Sequence, residues 1–419
     1  MRCASALVLL ATVLAGAGMS RAEERPLHGF VQAATAYRLI RPDRCPVTQR
    51  LACEEEFVLG EGRVRLELSP RGERWALSAK GELIYDGVGD EWEGELREGY
   101  LDLGFPALDL RVGRQVITWG VGDLIFINDV FPKDLVAFIS GLPLEYLKKG
   151  SDALSATGYW AGTALQLVLI PLFEADTVPE AGGRLSFHDP LADIERRRTD
   201  EPSPALENTE AGLRLSRNVL GWDLSLYAYR GFFHAPAAEV EPGPGLRFFF
   251  PRLNVYGASG QGAVLGGVLG LEAGYYDSRQ DRSGLDPAVE NSSVRVLLGY
   301  QREVVPDLML SAQYSVQVME DHAEYLRTRA PAMPERPLAR HVLTLRLTWL
   351  LLHQTLRLGL FALVSPNEGD FHVNPEIKYS VTDALWVAVG TNLFGGPDRT
   401  EFGQFQGNSN LYVVARYAF

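Results

Sequence analysis

The chain has 419 residues, 46% of them hydrophobic and 22% charged, and its 53 acidic and 40 basic residues give a formal net charge of -13. So acidic a balance excludes the basic footprint of a nucleic-acid binder. Beyond the first residues no apolar run reaches the roughly 18 that would suggest a membrane-spanning helix.

Taken in chain order, Arg2, the apolar run from Ala6 to Ala17 and Ser20-Arg21-Ala22 form the three parts of a secretory signal peptide, residues 1–22. The apolar run is shorter than the roughly 20 residues a retained anchor requires, so cleavage after Ala22 is expected. Cleavage removes two arginines and no acid, which takes the charge of the mature chain, 23–419, from -13 to -15. Cys45 and Cys53 remain in a polar stretch. In an oxidising envelope they read as a local disulfide; a metal pair or free thiols are the alternatives, but no His lies beside them and the spacing fits no zinc pattern.

From about residue 28 onward nearly every ordered-looking segment alternates with period two over about ten residues, the form of transmembrane barrel strands. Val64, Leu66 and Leu68 stand against Arg65 and Glu67; Leu308, Leu310, Ala312, Tyr314, Val316 and Val318 stand against Ser311, Gln313, Ser315 and Gln317. The last segment sets Leu411, Val413, Ala415, Tyr417 and Phe419 against Asn410, Tyr412, Val414, Arg416 and Ala418. Alternation alone fits a soluble sandwich as well as a barrel in lipid. The connections decide for the barrel. Tight links near Arg71, Pro106, Ala161, Leu220, Gln261, Pro306, His353 and Thr382 alternate with longer ones at about 41–55, 86–92, 118–150, 174–206, 232–250, 278–289, 321–337, 365–370 and 395–407. That rhythm predicts an all-β, antiparallel transmembrane β-barrel of about 18 strands, with 16 as the neighbouring count, short periplasmic turns and long external loops. One barrel domain, 23–419, accounts for the mature chain. Tyr37, Trp75, Tyr85, Trp119, Trp160, Trp222, Tyr275, Tyr300, Trp349, Tyr379, Phe394 and Tyr417 fall near strand ends, as interfacial girdles would place them; ordinary β-propensity is the plainer explanation.

With the apolar face outward, the lumen receives Arg38, Arg65, Lys80, Arg111, Arg214, Arg295, Arg346, Arg357, Lys378 and Arg416, against Glu67, Glu82, Asp109, Asp223, Glu272 and Glu376. A basic excess favours anions in transit, while wall-bracing salt bridges are the ordinary reading of any one residue. Alternation fails from Trp119-Gly120 onward, in FINDVFPKDLVAFISGLPLEYLKKG. Asp134–Ile139 and Pro143–Lys148 have the caps of two short helices. A loop so apolar, 118–150 after the fifth strand, is expected to fold against or into the lumen, with an external lid as the alternative.

Around this loop the sequence resembles a family of proteobacterial outer-membrane proteins long described only as a domain of unknown function, distantly similar to alginate-export porins. The matching residues are Leu96-Arg97-Glu98-Gly99-Tyr100-Leu101-Asp102, Gly113-Arg114-Gln115, Trp119-Gly120, Asp123, Asp129 and Pro132-Lys133-Asp134-Leu135, with weaker likeness at Pro171-Leu172-Phe173 and Pro179. Phe131 stands where a polar residue is expected. The resemblance implies a channel-type barrel, often associated with exporters of the resistance-nodulation-division class or with breakdown of hydrophobic compounds. Arg97, Asp102, Arg114, Asp123, Asp129 and Asp134 are candidates for one charge network where loop meets wall, since unpaired buried charges are costly. Such a network would hold the loop or contact solute. Arg111, Arg295, Arg346, Arg357 and Arg416 complete the candidate pore lining.

Three classes of function follow. A channel or porin for small solutes, anionic or hydrophobic, fits best; a non-conducting accessory barrel working with an exporter comes second. A barrel enzyme needs a nucleophile with a base and an orienting partner, and none of the seven histidines sits in a GxSxG-like or HExxH-like context. No cofactor or metal site is expected. The partners expected are outer-membrane lipid, a small solute, and the barrel-assembly machinery through the C-terminal strand ending at Phe419.

Overall fold

The computed structural model describes residues 27–42, 52, 54–243, 245–330 and 335–419. The expected signal peptide, Cys45 and Cys53 lie outside the described residues.

The first strands are β1 (Leu27–Arg38), β2 (Phe57–Leu68), β3 (Trp75–Asp86), β4 (Glu91–Phe105), β5 (Leu108–Gln115), β6 (Ser151–Trp160) and β7 (Thr163–Ile170). Then come β8 (Arg197–Asp200), β9 (Glu210–Val219), β10 (Trp222–Phe232), β11 (Ala237–Glu241), β12 (Gly245–Phe249), β13 (Arg252–Val264) and β14 (Gly267–Ser278). The last are β15 (Ser293–Val305), β16 (Leu308–Met319), β17 (Ala339–Leu351), β18 (Leu356–Ser365), β19 (Asp370–Ser380), β20 (Leu385–Gly395) and β21 (Asn410–Ala418). Eighteen of these form one antiparallel sheet, and β8, β11 and β12 make a separate sheet in the long loops. The large sheet closes on itself where β1 meets β21, from Phe30 opposite Ala418 to Arg38 opposite Asn410. Phe419 completes the seam by exchanging backbone hydrogen bonds with Gly29. Closure leaves no unpaired strand edge, the condition for spanning lipid with strands.

The polarity is inverted relative to a soluble sandwich. Leu66 is 50% exposed on the outer face while Arg65 beside it is 4% exposed inside. The same contrast runs along β21, where Leu411 and Val413 face out and Tyr412 and Val414 are buried. An exterior of leucine and valine around a polar interior is the surface of an outer-membrane barrel.

The link expected at Gln261 is instead at Leu265-Gly266, because Gln261 still pairs within the β13–β14 ladder. Gly257, Gly260 and Gly262 thin out the alternation that would have marked the strand. Two of the expected girdle residues are interior: Trp119 and Phe394 are both buried, in loop and wall clusters respectively. Trp75, Trp160, Trp349 and Tyr379 are exposed on the outside.

Candidate functional site: the lumen and its inner loop

Residues 116–150 leave the end of β5 and turn inward. A short helix, α1 (Leu135–Ser140), starts where the Asp134 carboxylate accepts the Ala137 amide at 2.8 Å and stops at Gly141 in the left-handed conformation. A 3-10 turn, Leu144–Leu147, follows Pro143. The loop closes on itself through backbone bonds from Asp134 to Leu147 and from Lys149 to Pro132.

Its tip and flanks touch the wall around most of the circumference. On the β14 side, Glu272 accepts four bonds: Val121 and Gly122 amides at 2.8 and 3.0 Å on one oxygen, and the Asn128 amide and side chain at 2.7 and 3.0 Å on the other. Gly120 is obligatory there, since its φ is +79° and a Cβ would lie 2.4 Å from the Glu272 carboxylate. Asp123 forms a two-pronged pair with Arg346 of β17. Trp119 packs edge-on against Phe131 at 5.0 Å and donates to Gln166 at 3.0 Å. The aromatic at 131, unexpected before a proline, thus serves packing. Opposite, Ile139 joins a cluster with Phe361, Leu363, Phe394, Tyr412 and Val414, and its carbonyl accepts the Asn410 amide group at 3.0 Å.

The last anchor is electrostatic. Glu145 pairs with Arg65 of β2 at 3.0 Å and with Arg416 of β21. Arg97 donates to the carbonyls of Glu145 and Lys148, and the Tyr146 ring lies 4.2 Å from the Arg63 guanidinium and 4.9 Å from that of Arg97. Burial pushes the Glu145 carboxyl up, but Arg416 and Arg65 outweigh it and hold the group below the ordinary glutamate value. Lys133 shows the reverse: burial lowers its ammonium although Asp129 opposes the shift.

The six charges proposed as one network do not join among the described residues. Asp102 pairs with Arg111 at 2.6 and 2.9 Å on the wall. Arg114 holds Asp152 and Glu174, both at 3.0 Å. Asp129 holds Lys133 at 3.0 Å and Lys148 at 2.6 Å, Asp134 caps α1, and Asp123 reaches across to Arg346. Each finds a nearer partner, an opposite charge, a free amide or, for Arg97, the carbonyls of Glu145 and Lys148, so separate contacts replace a single cluster. Arg295 pairs with Glu290 at 3.0 Å and stacks 3.6 Å over Tyr276.

Two cavities remain beside the loop. One, of about 280 Å³, lies between residues 138–145 and β17–β21, and brings together Arg346, Arg357, Lys378 and Arg416 with Glu145 and Glu376. The other, of about 570 Å³, lies between residues 115–119 and the wall of β3–β9, and balances Arg74, Arg111 and Arg214 with Glu73, Asp102 and Asp109. Among the lining residues bases outnumber acids by two in the first cavity and by none in the second. Within the first, Arg346, Arg357 and Arg416 each have a carboxylate partner. Lys378 has none within ion-pair distance among the described residues, its ammonium lying 3.7 Å from the Trp386 ring. Sequence reasoning placed Glu272 in the lumen without its anchoring role and missed Glu145; the latter's signal was its place as the lone acid in GLPLEYL.

Since the Glu145 carboxyl titrates lower in the folded state, its contribution to loop docking is present above the ordinary value of 4.5 and is lost as pH falls through the lowered one. Acidification below about pH 4.5 is expected to loosen the loop in the wild type, with a step in conductance that Glu145→Gln lacks.

The closed 18-strand wall, its lipid-compatible exterior and its inward loop define the class: a multi-pass β-barrel of the bacterial outer membrane. Among solved structures it is similar to OccK2 (OpdF) of Pseudomonas aeruginosa in complex with glucuronate, at 11% identity over 96% of this chain and 99% of that one, with a TM-score of 0.57. It is also similar to the outer membrane protein OpdK of Pseudomonas aeruginosa, at 11% identity over 94% and 98% with a TM-score of 0.54. OccAB3 of Acinetobacter baumannii matches at 10% identity over 94% and 98%, with a TM-score of 0.53. These likenesses establish the shared barrel fold. No protein-family model matches the chain, and no curated protein matches its sequence.

Proposed function

We propose that the protein, exported with residues 1–22 removed and assembled through its C-terminal strand, is a diffusion channel for small anionic solutes. The observation that carries this reading is the cavity under the loop, whose rim of Arg346, Arg357, Lys378 and Arg416 outweighs its acids. Preformed positive charge beside a water-filled path lowers the barrier for an anion and raises it for a cation. A sugar acid is a fitting first probe, because OccK2, with the same fold, is described in complex with glucuronate.

The test is single-channel recording of the refolded barrel in a planar bilayer, with the reversal potential measured across a salt gradient. Discrete steps with anion preference are expected. Lys378→Gln is expected to lower the anion-to-cation permeability ratio by about twofold at 0.1 M salt, where charges act over about 10 Å, and to lose that effect at 1 M. Cation preference in the wild type overturns the anionic assignment. A silent bilayer with a folded barrel favours the second reading, an accessory to a resistance-nodulation-division exporter, which rests on the sequence resemblance alone.

A further inference from the structure

The periplasmic rim of the barrel carries apolar side chains where hairpin chemistry calls for polar ones. Two-residue turns with both central φ angles positive favour Asn, Asp and Gly, because an L side chain crowds its own backbone there. Leu220 and Leu265 nevertheless hold such positions, at φ 53° and 49°, each followed by a glycine. They are 98% and 86% exposed, and Trp160 on the neighbouring turn is 82% exposed. Phe105, beside the next turn along the wall, is also exposed. These turns join β4–β5, β6–β7, β9–β10 and β13–β14, four consecutive hairpins of the closed sheet. Outside this sector the turn at 69–74 carries Arg71, Glu73 and Arg74 and that at 381–384 carries Asp383 beside the exposed Val381, while Leu352, at φ 51° and 62% exposed, tips the β17–β18 turn.

Two strands of this sector are the shortest of the barrel, although its β4, β13 and β14 run to 15, 13 and 12 residues. β5 and β7 have 8 residues each. At about 3.3 Å per residue and a tilt of about 40°, eight residues rise about 20 Å, against an apolar band of about 25 Å in barrels of this kind. Residues beyond the strand ends must cover the difference. On β5 and β9 the outward rows end at the turns in the exposed Leu108 and Val219, with Arg217 the polar residue nearest the turn on the β9 row.

We propose that the turns of this sector are sunk in the lipid of the periplasmic leaflet, with Leu220 and Leu265 as apolar tips and Trp160 at the headgroup boundary. The surface is continuous with the lipid-facing wall, and its partner is the leaflet itself. Its depth does not depend on whether the lumen conducts.

The experiment is spin labelling of the full mature chain, refolded in phosphatidylcholine–phosphatidylethanolamine vesicles. Leu220→Cys, Leu265→Cys and Asp383→Cys are each made with Cys45 and Cys53 changed to Ser. Labels at 220 and 265 are expected to be several-fold more accessible to oxygen than to a water-soluble nickel chelate, with the reverse at 383. Nickel-dominated accessibility at all three sites, or exclusion of both reagents at 220 and 265 as in a protein contact, overturns the proposal. If the serine background does not fold, the wild type and Trp160→Phe are compared for fluorescence quenching by lipids brominated near the headgroup. Loss of a quenched component in Trp160→Phe supports the proposal, and an unchanged quenching profile overturns it.

Discussion

Replacing Leu135–Tyr146 by Gly-Gly is expected to raise single-channel conductance severalfold while leaving the barrel folded. The join is short because Asp134 and Leu147 already face each other, with the Asp134 amide on the Leu147 carbonyl at 2.7 Å. A two-glycine turn fits an antiparallel pair of this kind. The excision takes away α1, its apolar contacts with Phe361 and Phe394, and Glu145, so the cavity beside β17–β21 gains the volume those groups fill. Arg65 retains Glu82, and Arg416 retains Gln32. Their charges stay solvated in a wider lumen, which costs little next to desolvating them. The wall ladder is untouched, and heat-modifiable migration in gels checks that it forms. Conductance equal to that of the wild type sinks the idea that this segment limits the pore.

Glu272→Gln is expected to weaken loop docking by about 3 kcal/mol, the cost of two charge-assisted hydrogen bonds replaced by opposed donors. Each carboxylate oxygen serves two donors, Val121 with Gly122 on one and Asn128 twice on the other. An amide offers one oxygen, so whichever way it turns its NH₂ group faces a pair of N–H donors. A loss of that size shifts the closed-to-open ratio of the loop by about 100-fold. It reads as frequent open-state excursions in single-channel traces and as earlier proteolysis within 121–147. Quiet traces indistinguishable from the wild type remove Glu272 from the role of anchor.

Strand number, hairpin rhythm and the outward apolar face were legible in the chain because each arises from neighbours a few residues apart. Val64-Arg65-Leu66 alternates in sequence as it does on the wall. The helix of the inner loop was legible for the same reason, as Asp134 and Pro143 act within one turn of themselves. The turn after β13 was not, since its strand glycines answer to neighbours far along the chain: a Cβ at Gly257 would lie 1.8 Å from the Asn128 side chain of the inner loop, and one at Gly262 would lie 2.6 Å from the Trp222 ring.

What the sequence determined by itself is therefore the barrel: its periodicity and its even strand count. Only the tertiary structure decided which charges meet. Asp123 finds Arg346 across 223 positions and Glu145 finds Arg416 across 271, whereas the nearby Arg97, Arg114 and Asp102 take other partners. Closure of the sheet brings residues from opposite ends of the chain onto one inner surface, and Coulomb attraction there selects by distance in space, without regard to distance along the chain.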